Sequence, residues 1–200
     1  MSRSEYYEDL KSLAREKRAL YGVNTATFGL RELRKIYKAE NIRIDQWPLS
    51  SRIKALYMCD CGDYSVAVQK TLPEIPKLFA LVHELKHHYR DQDALNAGVL
   101  PCGDYLRNEL IEKGAEVFAA EFIYPLAEFA EAVTALGVTM WTPENVVILK
   151  RQCKANVSYQ FICKRLEWLR LIPPKQFDKV QFQKLEERMF GTPFYRRRRA

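Results

Sequence analysis

Residues 78–89 read Leu-Phe-Ala-Leu-Val-His-Glu-Leu-Lys-His-His-Tyr, and within them His83-Glu84-Leu85-Lys86-His87 forms an H-E-x-x-H pattern. On an α-helix, side chains four residues apart lie on one face, so His83 and His87 point the same way. Two imidazoles so placed can fill two corners of a tetrahedral zinc ion, with Glu84 beside the water that zinc activates. The three histidines of the chain all lie here, at 83, 87 and 88. His88, one residue further on, is turned about 100° from His87 and is expected to stay out of the same tetrahedron.

A catalytic zinc keeps three protein ligands and one open position. A source for the third lies downstream in Glu112-Lys113-Gly114-Ala115-Glu116-Val117-Phe118-Ala119-Ala120-Glu121-Phe122, where Glu112 follows His87 by 25 residues, room for a loop and a returning helix. Glu109, Glu112 and Glu116 share one face of that helix, and small Ala115 allows the two helices to approach closely.

Together, H-E-x-x-H and E-x-x-A-x-x-F-A-A-E-F-x-x-P resemble the ImmA/IrrE metallopeptidases, a gluzincin-type group, over roughly residues 30–125. The resemblance implies one catalytic Zn2+ held by His83, His87 and Glu112, with Glu84 as general base. It places Glu116 where that family has an Asn or Asp orienting a zinc histidine from behind; glutamate keeps the acceptor but adds a methylene. The family has glycine where this chain has Lys86, and that lysine is expected to face solvent. The resemblance further implies an endopeptidase that cleaves a helix-turn-helix repressor, relieving repression under stress or during mobile-element induction. The competing reading is a DNA- or protein-binding regulator with a non-catalytic zinc site. An intact Glu84 weighs against it, because a structural site needs no base and usually carries four protein ligands.

The elements that must position these residues are legible in the pattern. Pro76 suits an early helical position, and Leu78, Leu81, Val82, Leu85 and Tyr89 form an apolar stripe of helical period. Upstream, helices are expected over 4–21, capped by Ser4 and ended by Gly22, and over 29–40, whose Arg31, Arg34, Lys35 and Lys38 read as a solvated basic face. A short strand, 42–44, precedes two β-rich runs, 53–58 and 64–68, flanking Asp60-Cys61-Gly62-Asp63 as a hairpin. Tyr64, Ser65, Val66, Ala67 and Val68 are taken as the strand that receives substrate as an added strand, from position and family resemblance. Residues 90–104 read as a loop, and 105–123 as the second zinc-bearing helix, stopped by Pro125. Tyr89, Tyr105 and Tyr124 are the candidate donors to a tetrahedral oxyanion.

Beyond Pro125, helices are expected over 126–136, 143–154, 158–170 and 178–189. The pair 143–170 has a helix-turn-helix look, but Val157, Phe161, Ile162, Leu166 and Leu169 make an ordinary core face, and a structural role is favoured. The fold class is α+β: mostly helical, with a three-stranded mixed or antiparallel sheet beside the zinc helix and a C-terminal helical segment. The expected domains are a zincin-like domain at 1–125, a helical subdomain at 126–172, and a linker, short helix and basic tail at 173–200.

An apolar fraction of 48% argues for a packed core rather than disorder. No apolar run reaches eighteen residues and the charged N-terminus lacks a signal-peptide core, so no membrane partner is expected and the chain is expected to stay in the cytoplasm. Five scattered cysteines suit reduced thiols better than a disulfide framework. Of the net charge of +7, Arg196, Arg197, Arg198 and Arg199 contribute four, leaving +3 for the rest. That run is the candidate for weak contact with nucleic acid, although most such tails are simply solvated.

Overall fold

A computed structural model of the chain describes residues 2–50, 52–60, 62–92 and 109–191. It separates into two units, Met1–Pro125 and Leu126–Ala200.

In the first unit, α1 (Arg3–Leu20) opens on a reciprocal cap. Ser2 Oγ accepts the Glu5 N–H at 3.2 Å, and the Ser2 N–H donates to Glu5 Oε2 at 2.6 Å. Ser2 takes the cap expected of Ser4 because Glu5 lies three residues beyond it, the spacing this paired cap needs. Gly22, at φ +59°, follows the helix end. Next comes α2 (Leu30–Ala39), which buries Leu33, Ile36 and Tyr37. Its Tyr37 hydroxyl donates to the Leu81 carbonyl at 2.6 Å, fixing α2 to the histidine-bearing helix.

The sheet consists of β1 (Ile42–Trp47), β2 (Ala55–Asp60) and β3 (Asp63–Gln69) in the order β1-β3-β2. β2 and β3 are an antiparallel hairpin, Asp60 opposite Asp63, with Gly62 at φ +90° in the tight turn between them. β1 pairs with β3 in parallel, Ile44 opposite Val66, so the sheet is mixed. Then α3 (Glu74–Arg90) packs on the sheet through a face that includes Leu78, Leu81 and Leu85, all buried.

α4 (Glu109–Ile123) lies against both α3 and α1. Its approach to α1 depends on Gly114. A Cβ there would stand 2.7 Å from Leu10 Cδ1 and 2.8 Å from the Tyr6 ring. Arg18 of α1 is buried and binds the Phe122 carbonyl and, at 2.8 Å, Thr25 Oγ1, which ties the end of α4 to the turn after α1.

The second unit holds α5 (Leu126–Leu136), α6 (Pro143–Gln152), α7 (Tyr159–Trp168) and α8 (Phe182–Phe190). Thr142 and Ser158 cap α6 and α7 through their hydroxyls. Val146, Val147, Leu149, Ile162 and Leu166 are fully buried, a core face rather than an exposed reading face. α8 joins them by stacking Phe182 on Tyr159 at 4.8 Å. The fold is α+β, mainly helical, with one small sheet. Among the described residues, no helix is long and apolar enough to cross a membrane.

Candidate metal centre

The apolar stripe of α3 faces the sheet and core, which leaves His83 and His87 directed toward α4. Their Nε2 atoms lie 3.3 Å apart. Glu112, in the first turn of α4, reaches both: Oε2 is 3.1 Å from His83 Nε2 and Oε1 is 3.7 Å from His87 Nε2. One donor atom from each of the three residues falls within 4.8 Å of the others. Ligand bonds of about 2.0–2.1 Å in tetrahedral geometry imply ligand–ligand spacings of about 3.3 Å. The His83–His87 and His83–Glu112 separations match that spacing, and all three residues are mostly buried.

Glu84 is buried on the sheet side of the same cluster. Its Oε2 accepts the backbone N–H of Tyr57 in β2 at 2.9 Å. Burial pushes its pKa up; the neighbouring His83 and His87 pull it back without reversing the shift. For His83, burial disfavours the imidazolium, but the hydrogen bond to Glu112 and the charges of Glu84, Glu112 and Glu116 outweigh it and raise its pKa. Glu112 moves the other way: burial opposes ionisation, yet His83 and His87 hold its pKa below the usual glutamate value.

Behind His87 stands a residue that sequence reasoning assigned to the loop. Asp91 caps the C-terminus of α3, and its Oδ2 accepts from His87 Nδ1 at 2.6 Å. That bond fixes the tautomer in which Nε2 is free for a metal. The signal available was an acidic residue four positions after a histidine. Tyr57 was missed too, and no local pattern announced it, since its contact with Glu84 spans 27 residues.

Lys86 corrects an expectation. Rather than facing solvent it is 0% exposed, with Nζ 2.7 Å from Asp91 Oδ2 and 3.3 Å from the Ile111 carbonyl. The side of α3 that carries it is covered by α4, and its Nζ lies 5.8 Å from the Tyr6 ring of α1, so its charge is met by a carboxylate instead of water.

The substrate strand is the second correction. β3, with Tyr64, Ser65, Val66, Ala67 and Val68, is the central strand, and its two sides are used by β1 and β2. It has no edge left to receive a peptide. Among the described residues β2 is paired on one side alone, by β3; on its other side the Tyr57 N–H turns toward Glu84, and the two-residue period puts the polar groups of Ala55 and Cys59 there as well.

Other expected residues fall as follows. Glu116 contributes its charge to the raised pKa of His83. Glu109 is exposed and pairs with Lys113. His88 is buried on another side of α3, its Nδ1 3.0 Å from both the Tyr57 hydroxyl and Gln92 Nε2 and its ring edge-on to Tyr64. Tyr89 packs on Phe118 beneath the Lys17 ammonium, on a face of α3 turned away from His83 and His87, so its hydroxyl is not at the cluster. Tyr124 is twelve residues beyond Glu112, roughly 18 Å along a helix axis. Tyr105 and Arg196–Arg199 lie outside the described residues.

The family model for the IrrE N-terminal-like domain (Peptidase_M78) matches residues 38–167. Among solved structures, the chain is similar to a Mycobacterium tuberculosis transcriptional regulator, with 19% identity and a TM-score of 0.57. That alignment covers 82% of this chain and 50% of the other, so the chain spans half the length of that structure, and the likeness is one of fold. No curated protein matches the sequence at a significant level.

Proposed function

This chain belongs to the family of IrrE N-terminal-like domains, and from that premise we propose that it is a zinc-dependent endopeptidase acting in the cytoplasm on a helix-turn-helix repressor. The observation that carries the reading is the cluster itself: two imidazole Nε2 atoms 3.3 Å apart, the Glu112 carboxylate within 3.1 Å of one and 3.7 Å of the other through its two oxygens, and a buried carboxylate of raised pKa beside them. A structural site has no use for that fourth group.

In this reading His83, His87 and Glu112 hold the ion. When bound, zinc would supply Lewis acidity at the substrate carbonyl and bring the pKa of a water toward neutrality. Glu84 takes that water's proton and returns it to the departing amine; its raised pKa brings it nearer to the range where a base works at neutral pH. The Tyr57 N–H holds the Glu84 carboxylate in place. The outer edge of β2, through the backbone groups of Ala55 and Cys59 on either side of Tyr57, would align an extended segment of substrate, the role first assigned to β3. Asp91 keeps His87 turned to the metal, and Glu116 adds negative charge near His83.

The test is Glu84→Gln, nearly isosteric and outside the ligand set. Zinc content and folding should be retained while hydrolysis falls by roughly two to four orders of magnitude. The assay co-expresses the chain with a helix-turn-helix repressor and follows both the intact repressor band and the output of its promoter. Cleavage by the parent and none by the variant is the expected result. Equal relief of repression by both, with the repressor whole, would show a binding regulator instead.

A further inference from the structure

One oxygen of Asp91 serves two donors. Oδ2 accepts from His87 Nδ1 at 2.6 Å and from Lys86 Nζ at 2.7 Å. The carboxylate sits at the C-terminal cap of α3, where the helix dipole disfavours negative charge. It is held there by a fully buried ammonium, whose own burial is costly and is offset by the same carboxylate. Nζ also donates to the Ile111 carbonyl at 3.3 Å, one residue before Glu112, so the cation is locked between the two helices that carry all three cluster residues.

We propose that Asp91 is a positioning residue for His87 and that Lys86 opposes it, a built-in cation that weakens the site's hold on its metal ion. The inference rests on reading the cluster as a zinc centre. A carboxylate behind a ligating histidine orients the ring and makes its free nitrogen a better donor. An ammonium bound to the same oxygen withdraws part of that charge. It also places a positive charge, poorly screened by water, close to where a divalent cation would sit. Asp91 and Lys86 therefore act on metal affinity with opposite signs, although they form one ion pair.

Those opposite signs separate the proposal from a purely structural clamp. The experiment uses the full chain, freed of metal by chelation. Zinc affinity is measured by competition with a chromophoric chelator, and thermal unfolding of the metal-free protein is followed alongside. Asp91→Asn should weaken zinc binding about ten- to a hundredfold. Lys86→Met, of similar length and without charge, should tighten it by roughly fivefold or more even as the metal-free protein becomes less stable. Lys86→Gln keeps a donor to Asp91 without the charge and carries the same expectation should the methionine variant not fold. If the Lys86 variants weaken zinc binding in parallel with Asp91→Asn, the pair is a fold clamp and the proposal fails. If the parent binds zinc and neither position changes its affinity, the proposal fails while the zinc reading stands. A parent that binds no zinc overturns both.

Discussion

Glu109 and Glu112 are one turn apart on α4, yet one pairs with Lys113 at the surface and the other reaches two histidines. Glu112→Ala should accordingly abolish zinc retention in purified protein, measured by metal analysis, while Glu109→Ala leaves it intact; the reverse pattern would shift the helix assignment by a turn. His88 answers a different question. Its ring joins Tyr57, Gln92 and Tyr64 rather than the cluster, so His88→Ala should keep the metal. It should cost about 0.5–1.5 kcal/mol of stability, because one hydrogen bond of the Tyr57 hydroxyl is lost while Gln92 remains beside it. Loss of zinc with unchanged stability would contradict that placement. Acid acts through His83. A folded-state pKa raised above the unfolded one means that its protonation stabilises the metal-free protein at low pH, and that this stability is lost as pH rises through the raised value. Zinc must displace that proton. Affinity should therefore fall as pH drops through the same value, by about tenfold per pH unit for each proton displaced, as read by zinc titrations across pH.

At the scale of elements, the position of α4 decides whether the cluster exists. Gly114 lets α4 sit against Leu10 and Tyr6 of α1. Replacing glycine by alanine within a helix is ordinarily favourable by about 1 kcal/mol. Here the added methyl would lie under 3 Å from a fully buried leucine, and overpacking of this kind costs about 1–3 kcal/mol. The clash outweighs the propensity, so Gly114→Ala should lower the urea midpoint of unfolding and, by displacing Glu112, weaken zinc binding as well. An increase in stability would mean that the two helices pack less tightly than the distances say. The sheet supplies the second lesson at this scale: β1 pairs with β3 from the far side, which leaves β2 as the edge beside Glu84.

For the whole molecule, the division after Pro125 leaves His83, Glu84, His87, Asp91 and Glu112 in the first unit. Each hydrogen bond traced above around the cluster also stays within it. A chain ending at Pro125 should therefore still bind zinc, with an affinity within about tenfold of the parent. Competition titration of the purified fragment checks this. A folded fragment without zinc affinity would show that the helices beyond Pro125 are needed to hold the site, as the reach of the family match to residue 167 would then explain.

The sequence by itself determined what is local. The four-residue spacing of His83 and His87, the acid between them, the glutamates of 109–121 and the turn at Cys61-Gly62 all follow from helical or strand periodicity and from turn chemistry. It also carried the family, through two motifs only 25 residues apart. Tertiary structure decided which side of each element is covered, because burial depends on what arrives from elsewhere in the chain. Lys86 reads as a solvent-facing lysine until α4 closes over it and Asp91 meets its charge. Tyr57 reads as one β residue among several until its N–H meets Glu84. The edge of the sheet was likewise undetermined, since a parallel partner such as β1 carries no hairpin signature and pairs through a long crossover whose register no short-range pattern fixes.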